Sequence, residues 1–190
     1  MKQLEKVILE KGRVLNDEVL KVDSFINHQV DPKVIEQITD YFVEQFKDTK
    51  IDKVLTIETS GLPIAYSVAL RLGVKMVFAK KSKSQIVDDN IYQEEVRSFT
   101  RGTVSNVTVA KNYILKDERI LIVDDFLAMG NAAVGLINLC EKGGAKCVGF
   151  CAAIEKSFQG GRKLIEAKNV PVVSAAIIKS FTNGKPVFEE

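Results

Sequence analysis

Apolar positions follow two rhythms along the chain, one close to the helical repeat and one that alternates or runs unbroken. Residues 2–11 (KQLEKVILEK) predict a short helix stopped by Gly12. Asp31 and Pro32 open a stronger helix, with a capping carboxylate followed by a proline at the first helical position. Val34, Ile35, Ile38, Phe42 and Phe46 then fall on one helical face. Residues 53–58 (KVLTIE) predict a strand, 62–72 a helix closed by Gly73, and 75–80 a second strand. Residues 104–110 alternate like a strand, and the unbroken run RILIVD (119–124) predicts a buried one. A helix over 131–142 ends at Gly143 and Gly144; a strand over 147–154, a short helix over 162–167 and a last strand over 172–178 follow. Strands alternating with helices predict an α/β fold, a mainly parallel twisted sheet flanked by helices with right-handed crossovers. Ligands of such sheets sit at the carboxyl ends of the strands. One stretch breaks the rhythm. Residues 81–102 are rich in Lys, Ser, Asp, Glu and Gln, show no core face, and predict a long loop. Such a loop in a compact domain is functional or disordered more often than not.

Composition narrows the classes. At 190 residues and 21.1 kDa, one domain over 1–190 is expected, with no internal repeat or linker. The net charge of +2 gives no general attraction to nucleic acid. No apolar run is long enough to span a membrane. The opening residues (MKQLEK) lack the apolar stretch of a secretory signal, so a cytoplasmic location is expected. The single histidine, His28, rules out a zinc site with two histidines from one chain. Cys140, Cys147 and Cys151 lack C-x-x-C spacing and read as small buried residues of a reducing compartment.

The strongest chemical signal is ILIVDDFLAMGNA, residues 120–132. A buried strand ends in two adjacent carboxylates, Asp124 and Asp125; a turn with Gly130 follows and a helix begins. Paired acids beside a core need something positive or hydroxyl-rich to meet them, such as a sugar diol or a magnesium ion. Backbone amides at a helix N-terminus suit a phosphate. Together they describe a site for a ribose 5-phosphate. A plain turn and helix cap is the bland alternative. Neither the G-x-x-x-x-G-K-[ST] loop nor G-x-G-x-x-G occurs, so the common nucleoside-triphosphate and dinucleotide motifs are absent.

An apolar strand, two acids, three residues and a small glycine-containing loop resemble the signature of the type I phosphoribosyltransferases. The usual loop carries threonine at both ends, where this chain has Ala128 and Ala132. In this it is similar to the subgroup of purine-salvage members that takes xanthine as its base. The opening segment VDSFINHQVDP (22–32) and EKSF (155–158) also resemble that subgroup, and the likeness covers nearly the whole chain.

The resemblance implies a type I phosphoribosyltransferase fold, with a small hood formed partly by residues 1–30 and a flexible lid over 81–102. It implies transfer of ribose phosphate from 5-phosphoribosyl-1-pyrophosphate (PRPP) to xanthine, giving XMP and pyrophosphate through an oxocarbenium-like transition state. Asp124 and Asp125 would be catalytic, holding the ribose hydroxyls and meeting Mg²⁺ indirectly. Ala128, Met129, Gly130, Asn131 and Ala132 would hold the 5-phosphate. Glu58, Thr59, Ser60 and Gly61, with Lys80 and Lys81, would meet the pyrophosphate. Leu20, Asn27, Phe126 and Lys156 would contact the base, and the chain would form a homodimer. Read locally, 58–63 is equally a plain strand-to-helix turn. Leu20 and Phe126 are equally core, and Lys80, Lys81 and Lys156 equally surface charges. A hypoxanthine/guanine or adenine enzyme, and a non-catalytic regulator that senses PRPP, stay open as alternatives.

Overall fold

The computed structural model describes residues 1–16, 18–82, 88–98 and 103–189, and among these five α-helices and ten strands follow one another. The helices are α1 (Lys2–Lys11), α2 (Pro32–Gln45), α3 (Leu62–Leu72), α4 (Asn131–Lys142) and α5 (Gly161–Glu166). The strands are β1 (Arg13–Leu15), β2 (Val19–Lys21), β3 (Lys53–Ile57), β4 (Lys75–Ser82), β5 (Ile91–Ser98), β6 (Thr103–Ala110), β7 (Arg119–Leu127), β8 (Lys146–Lys156), β9 (Val172–Thr182) and β10 (Lys185–Phe188). Local chemistry accounts for the helix ends. The Asp31 carboxylate accepts the Lys33 amide N–H at 3.1 Å ahead of α2. Gly73, at φ +67°, closes α3 in the left-handed region that few other residues adopt without strain.

Eight strands form one sheet in the order β10-β9-β8-β7-β3-β4-β6-β5. The five from β9 to β4 run parallel; β10, β6 and β5 are antiparallel to their neighbours. Side chains of β7 alternate between the two faces. Leu121 and Val123 join Ile38, Phe42, Ile64 and Val68 of α2 and α3, whereas Ile120 and Ile122 join Leu136, Leu139 and Ile165 of α4 and α5. Burial on both faces is why this strand reads as a continuous apolar run. The chain passes from β3 to β4 in one direction and from β7 to β8 in the other. The order therefore reverses between β3 and β7, and their carboxyl ends border a crevice there.

Three stretches differ from the sequence expectation. β1 and β2 pair as a small antiparallel hairpin, followed by a π-helical turn, Asp23–Asn27. Three-residue strands are too short to show an alternating pattern. β10 pairs back on β9 through Asn183 and Gly184, both at positive φ, a turn signal that the sequence carries. The predicted loop over 81–102 is corrected where it is described: β4 runs to Ser82, and β5 pairs with β6 along its whole length. One well-placed apolar residue holds it, for buried Val96 lies against α4, where Gly135 leaves room for it. Residues 83–87 and 99–102 of that segment, part of the predicted lid, lie outside the described residues. No helix among the described residues is long and apolar enough to cross a membrane.

The first thirty residues pack onto the same core as α2 and α3. Leu4, Ile8, Leu20, Val22, Phe25 and Ile26 are buried together, and the terminal amine donates to the Ala175 carbonyl of β9. This fixes the β1–β2 turn and the π-helical turn beside the ends of β7 and β8.

Candidate active site

Asp124 and Asp125 lie within β7, beyond the last pair that β7 makes with β3, Leu55 with Ile122. Asp124 is buried, and its Oδ1 accepts the Asp125 backbone N–H at 2.9 Å. Burial, then the neighbouring Asp125 charge, raises the Asp124 carboxyl pKa well above the usual range, while Lys81 pulls the other way. Asp125 is half-buried on the opposite side of the strand and accepts from Asn27 Nδ2 at 3.3 Å.

The turn over 58–61 carries the chain from β3 into α3. The Glu58 amide donates to Ala79 O at 3.0 Å, and Glu58 Oε1 accepts the Lys81 amide at 2.5 Å. The Glu58–Thr59 peptide is cis. Thr59 is exposed and Ser60 half-exposed at the mouth of the crevice. Gly61 is dictated by proximity: a Cβ there would lie 2.9 Å from Asp124 Oδ1 and 2.5 Å from Thr56 Oγ1. The Thr56 hydroxyl, buried on β3, has no hydrogen-bond partner among the described residues. Lys80 and Lys81 separate. Lys81 lies on the side of Glu58 and influences Asp124, whereas Lys80 lines an apolar groove with Met76, Phe78 and Tyr113.

Residues 128–132 join β7 to α4. Gly130, at φ +83°, precedes the first turn of that twelve-residue helix, whose amides face the crevice. Ala128 and Ala132 are half-buried and Met129 is exposed. None of the three offers a hydroxyl, so any grip on a phosphate here comes from backbone amides and from Asn131. The Ala128 carbonyl accepts the Gly161 amide at 3.1 Å.

Lys156 ends β8 and is only 9% exposed, which removes the surface-lysine reading. Its Nζ donates to the Glu18 carbonyl in the β1–β2 turn at 2.8 Å. The same nitrogen stands 6.0 Å from the Phe126 ring centroid and 5.7 Å from that of Phe181. Burial lowers the pKa of this ammonium. Phe126 is half-buried beside Asp125. Lys156 with Phe126, and Asn27 with Asp125, are thus two contacts joined through the adjacent β7 residues 125 and 126. Leu20 is placed otherwise, 5% exposed in the N-terminal core.

Two groups escaped the sequence reading. Glu155, 1% exposed, accepts both Arg162 Nε at 2.9 Å and Arg162 Nη2 at 2.5 Å, and also the Ser174 hydroxyl at 2.6 Å. Gly161 touches the 128–130 turn. The signal for the first was available: a lone carboxylate at the end of the apolar run CVGFCAAI needs a buried partner. The described residues hold no group of three or more His, Cys, Asp or Glu that could cage a metal. An ion beside Asp124 and Asp125 would draw most of its ligands from substrate and water, as magnesium commonly does.

Comparison with known proteins agrees with this geometry. Residues 28–186 match the family model of the phosphoribosyl transferase domain. The chain is 47% identical over 189 residues to a xanthine phosphoribosyltransferase of Clostridium novyi, covering 100% of both chains. It is 47% identical over 190 residues to another of that name from Streptococcus agalactiae, covering 100% of this chain and 98% of that one. Among solved structures, adenine phosphoribosyltransferase of Trypanosoma brucei, in complex with AMP, pyrophosphate and ribose-5-phosphate, superposes with a TM-score of 0.79. That likeness covers 97% of this chain and 81% of that one at 20% identity, and it speaks to the fold.

Proposed function

The chain belongs to the phosphoribosyl transferase family, and from that membership we propose that it converts xanthine and PRPP to XMP and pyrophosphate. The observation that carries the choice of base is the position of Lys156, a buried cation beside Phe126, with the Asn27 amide bonded to Asp125. A donor cation suits a purine with oxygens on its ring carbons and opposes one with an amino group at the same edge. The names of the relatives support the same reading.

In this proposal, purine N9 attacks the ribose C1′ as pyrophosphate departs with the bonding pair. Asp124 and Asp125 hold the ribose hydroxyls, and Asp125 faces the positive charge that develops on the sugar. The turn over 128–132 holds the 5-phosphate, and the amides of 59–61 hold the pyrophosphate. Glu58 keeps Lys81 close to that turn through its bond to the Lys81 amide. Phe126 and Lys156 orient the base and Asn27 links it to Asp125; Leu20 supports this hood from the core. Asp124 and Asp125 would hold Mg²⁺ mainly through substrate and water oxygens, and the ion would supply charge neutralisation for the pyrophosphate. A homodimer and a cytoplasmic location belong to the same reading; sedimentation and cell fractionation test them.

The test is an assay of xanthine, guanine, hypoxanthine and adenine with PRPP and Mg²⁺. The expected result is the highest kcat/KM for xanthine, with adenine the poorest. Preference for another purine reassigns the base, and PRPP binding without turnover of any purine favours a regulator.

A further inference from the structure

We propose that Gly161, Arg162 and Glu155 form a positioning assembly for the 5-phosphate turn, so that one strand end, β8, sets both the base side and the phosphate side of the site. The inference rests on the reading above, in which 128–132 holds the phosphate of PRPP.

The geometry is a chain of short contacts running from a buried carboxylate to a half-buried guanidinium. Glu155 is the register partner of Leu127, the last residue of β7 before the turn. Its carboxylate is buried and grips Arg162 through both oxygens, with the Ser174 hydroxyl as a third donor. Arg162 Nη1 also donates to the Val172 carbonyl of β9 at 3.0 Å. A planar guanidinium held at a carboxylate and a carbonyl has little freedom to rotate or translate. Arg162 follows Gly161 directly, so the ion pair fixes where Gly161 lies.

Gly161 in turn touches the phosphate turn at several points. Its amide donates to Ala128 O at 3.1 Å. A Cβ on Gly161 would meet Ala128 O at 2.4 Å, Gly130 N at 2.6 Å and Met129 C at 2.9 Å. A Cβ on Gly130 would lie 2.9 Å from both Gly161 Cα and Gly161 O. Two backbones thus meet face to face with no room for a side chain on either. This matters more here than in a turn with hydroxyls. Alanines stand at 128 and 132, so the direction of the backbone amides decides how well a phosphate is held. Successive residues of a strand point to opposite faces, so Glu155 reaches Arg162 while its neighbour Lys156 reaches Phe126.

The test compares wild type with Gly161→Ala and Arg162→Lys. Ribose 5-phosphate and pyrophosphate with Mg²⁺ are titrated separately by calorimetry, and KM for PRPP and kcat are measured with excess xanthine. Both variants are expected to lose on the order of tenfold in ribose 5-phosphate affinity, with KM for PRPP rising in step. Pyrophosphate affinity should hold, and kcat at saturating PRPP should stay within about threefold, since the reacting groups are intact. Arg162→Lys keeps a cation opposite Glu155 and loses only the fork, so it carries the test should Gly161→Ala not fold. Arg162→Ala should be worse than Arg162→Lys. Variants that bind ribose 5-phosphate like wild type overturn the assembly. So does an equal loss for both ligands, which would mark general damage. A wild type that binds neither ribose 5-phosphate nor PRPP instead overturns the proposed function itself.

Discussion

Asn27 donates its side-chain amide to Asp125 Oδ2 at 3.3 Å, joining the N-terminal π-helical turn to the second acid of β7. The residue proposed to face the base thus touches the residue proposed to face the ribose. Anything that moves one disturbs the other. Replacing Asn27 by aspartate sets carboxylate against carboxylate and removes the donor. Asn27→Asp is expected to lower kcat/KM for xanthine by about tenfold to a hundredfold, from the loss of about 1.5–3 kcal/mol for a hydrogen bond to a charged group. Asn27→Ala should fall less, because it removes the bond without adding repulsion. Steady-state kinetics on both variants check the order, and equal activity in all three proteins would remove the coupling.

Asp125 is half-buried, and the proposed reaction asks more of its charge than folding does. Asp125→Asn is expected to lower kcat by roughly a hundredfold, about 3 kcal/mol of lost transition-state stabilisation. The Tm should change by no more than a few degrees, as befits a partly exposed site whose loss is under about 1 kcal/mol of stability. Turnover and thermal melting of the same preparation give both numbers.

Asp124 differs in a way that pH exposes. Its carboxyl pKa is raised in the folded protein, chiefly by burial. The folded state therefore retains a proton that the unfolded state releases as pH climbs past the ordinary value of 3.8. Over that window unfolded chains bind fewer protons, so this group lowers stability as pH rises, and the loss persists above the raised pKa. Asp124→Asn keeps the Oδ1 acceptor for the Asp125 amide and abolishes the titration. The variant should be more stable than wild type at neutral pH and less active, an exchange of stability for function. Denaturant unfolding at acid and neutral pH checks the sign; a neutral-pH Tm below that of wild type would refute it.

Much of the fold was legible because the core strands and helices carry unbroken or periodic apolar runs. The 120–132 stretch alone locates the paired acids and the glycine turn ahead of α4, since two carboxylates at the end of an apolar run stand out from the rest of the chain. Contacts made by backbone were less legible. Nothing local in Gly161 announces that it lies against Gly130, 31 residues earlier in a separate turn. Lys80 and Lys81 look alike in sequence, and only strand alternation, once β4 reaches Ser82, assigns them to different faces. The strand over 91–98 was hidden because pairing with β6 and one buried valine suffice to hold a polar segment.

The three cysteines are expected to be inert. Burial raises all three thiol pKa values, that of Cys147 to about 12. Thiolate is the reactive form and is scarce at such pKa values. A disulfide reagent at pH 8 should label the native protein slowly and leave activity unchanged, while denaturant should release all three thiols. Rapid labelling with loss of turnover would point to a redox role.

Lys156 is the residue proposed to select the base. Its Nζ is held at 2.8 Å from the Glu18 carbonyl and lies over Phe126 and Phe181, so it is oriented before any base arrives. An oriented cation donates well to an oxopurine oxygen and faces a donor when adenine presents its amino group. Lys156→Met keeps the bulk of the stem against the rings and removes the charge. It should raise KM for xanthine by about tenfold to a hundredfold, the worth of about 1.5–3 kcal/mol for a charged donor. PRPP affinity should hold, because Asp124, Asp125 and the 128–132 turn are untouched. Discrimination against adenine should shrink at the same time, since the opposing donor is gone. Stability should shift with pH in the direction that burial dictates. The folded-state pKa of this lysine is lowered from the ordinary 10.5 by desolvation. Just below that value the unfolded chain binds more protons than the folded one, so wild-type stability gains from this group as pH rises through the window. The methionine variant lacks that gain. The decisive measurement is kcat/KM for each purine at saturating PRPP, wild type beside variant. If xanthine efficiency and the ranking of purines both stay put, the lysine serves only to tie β8 to the β1–β2 turn, and the choice of xanthine loses its chemical basis.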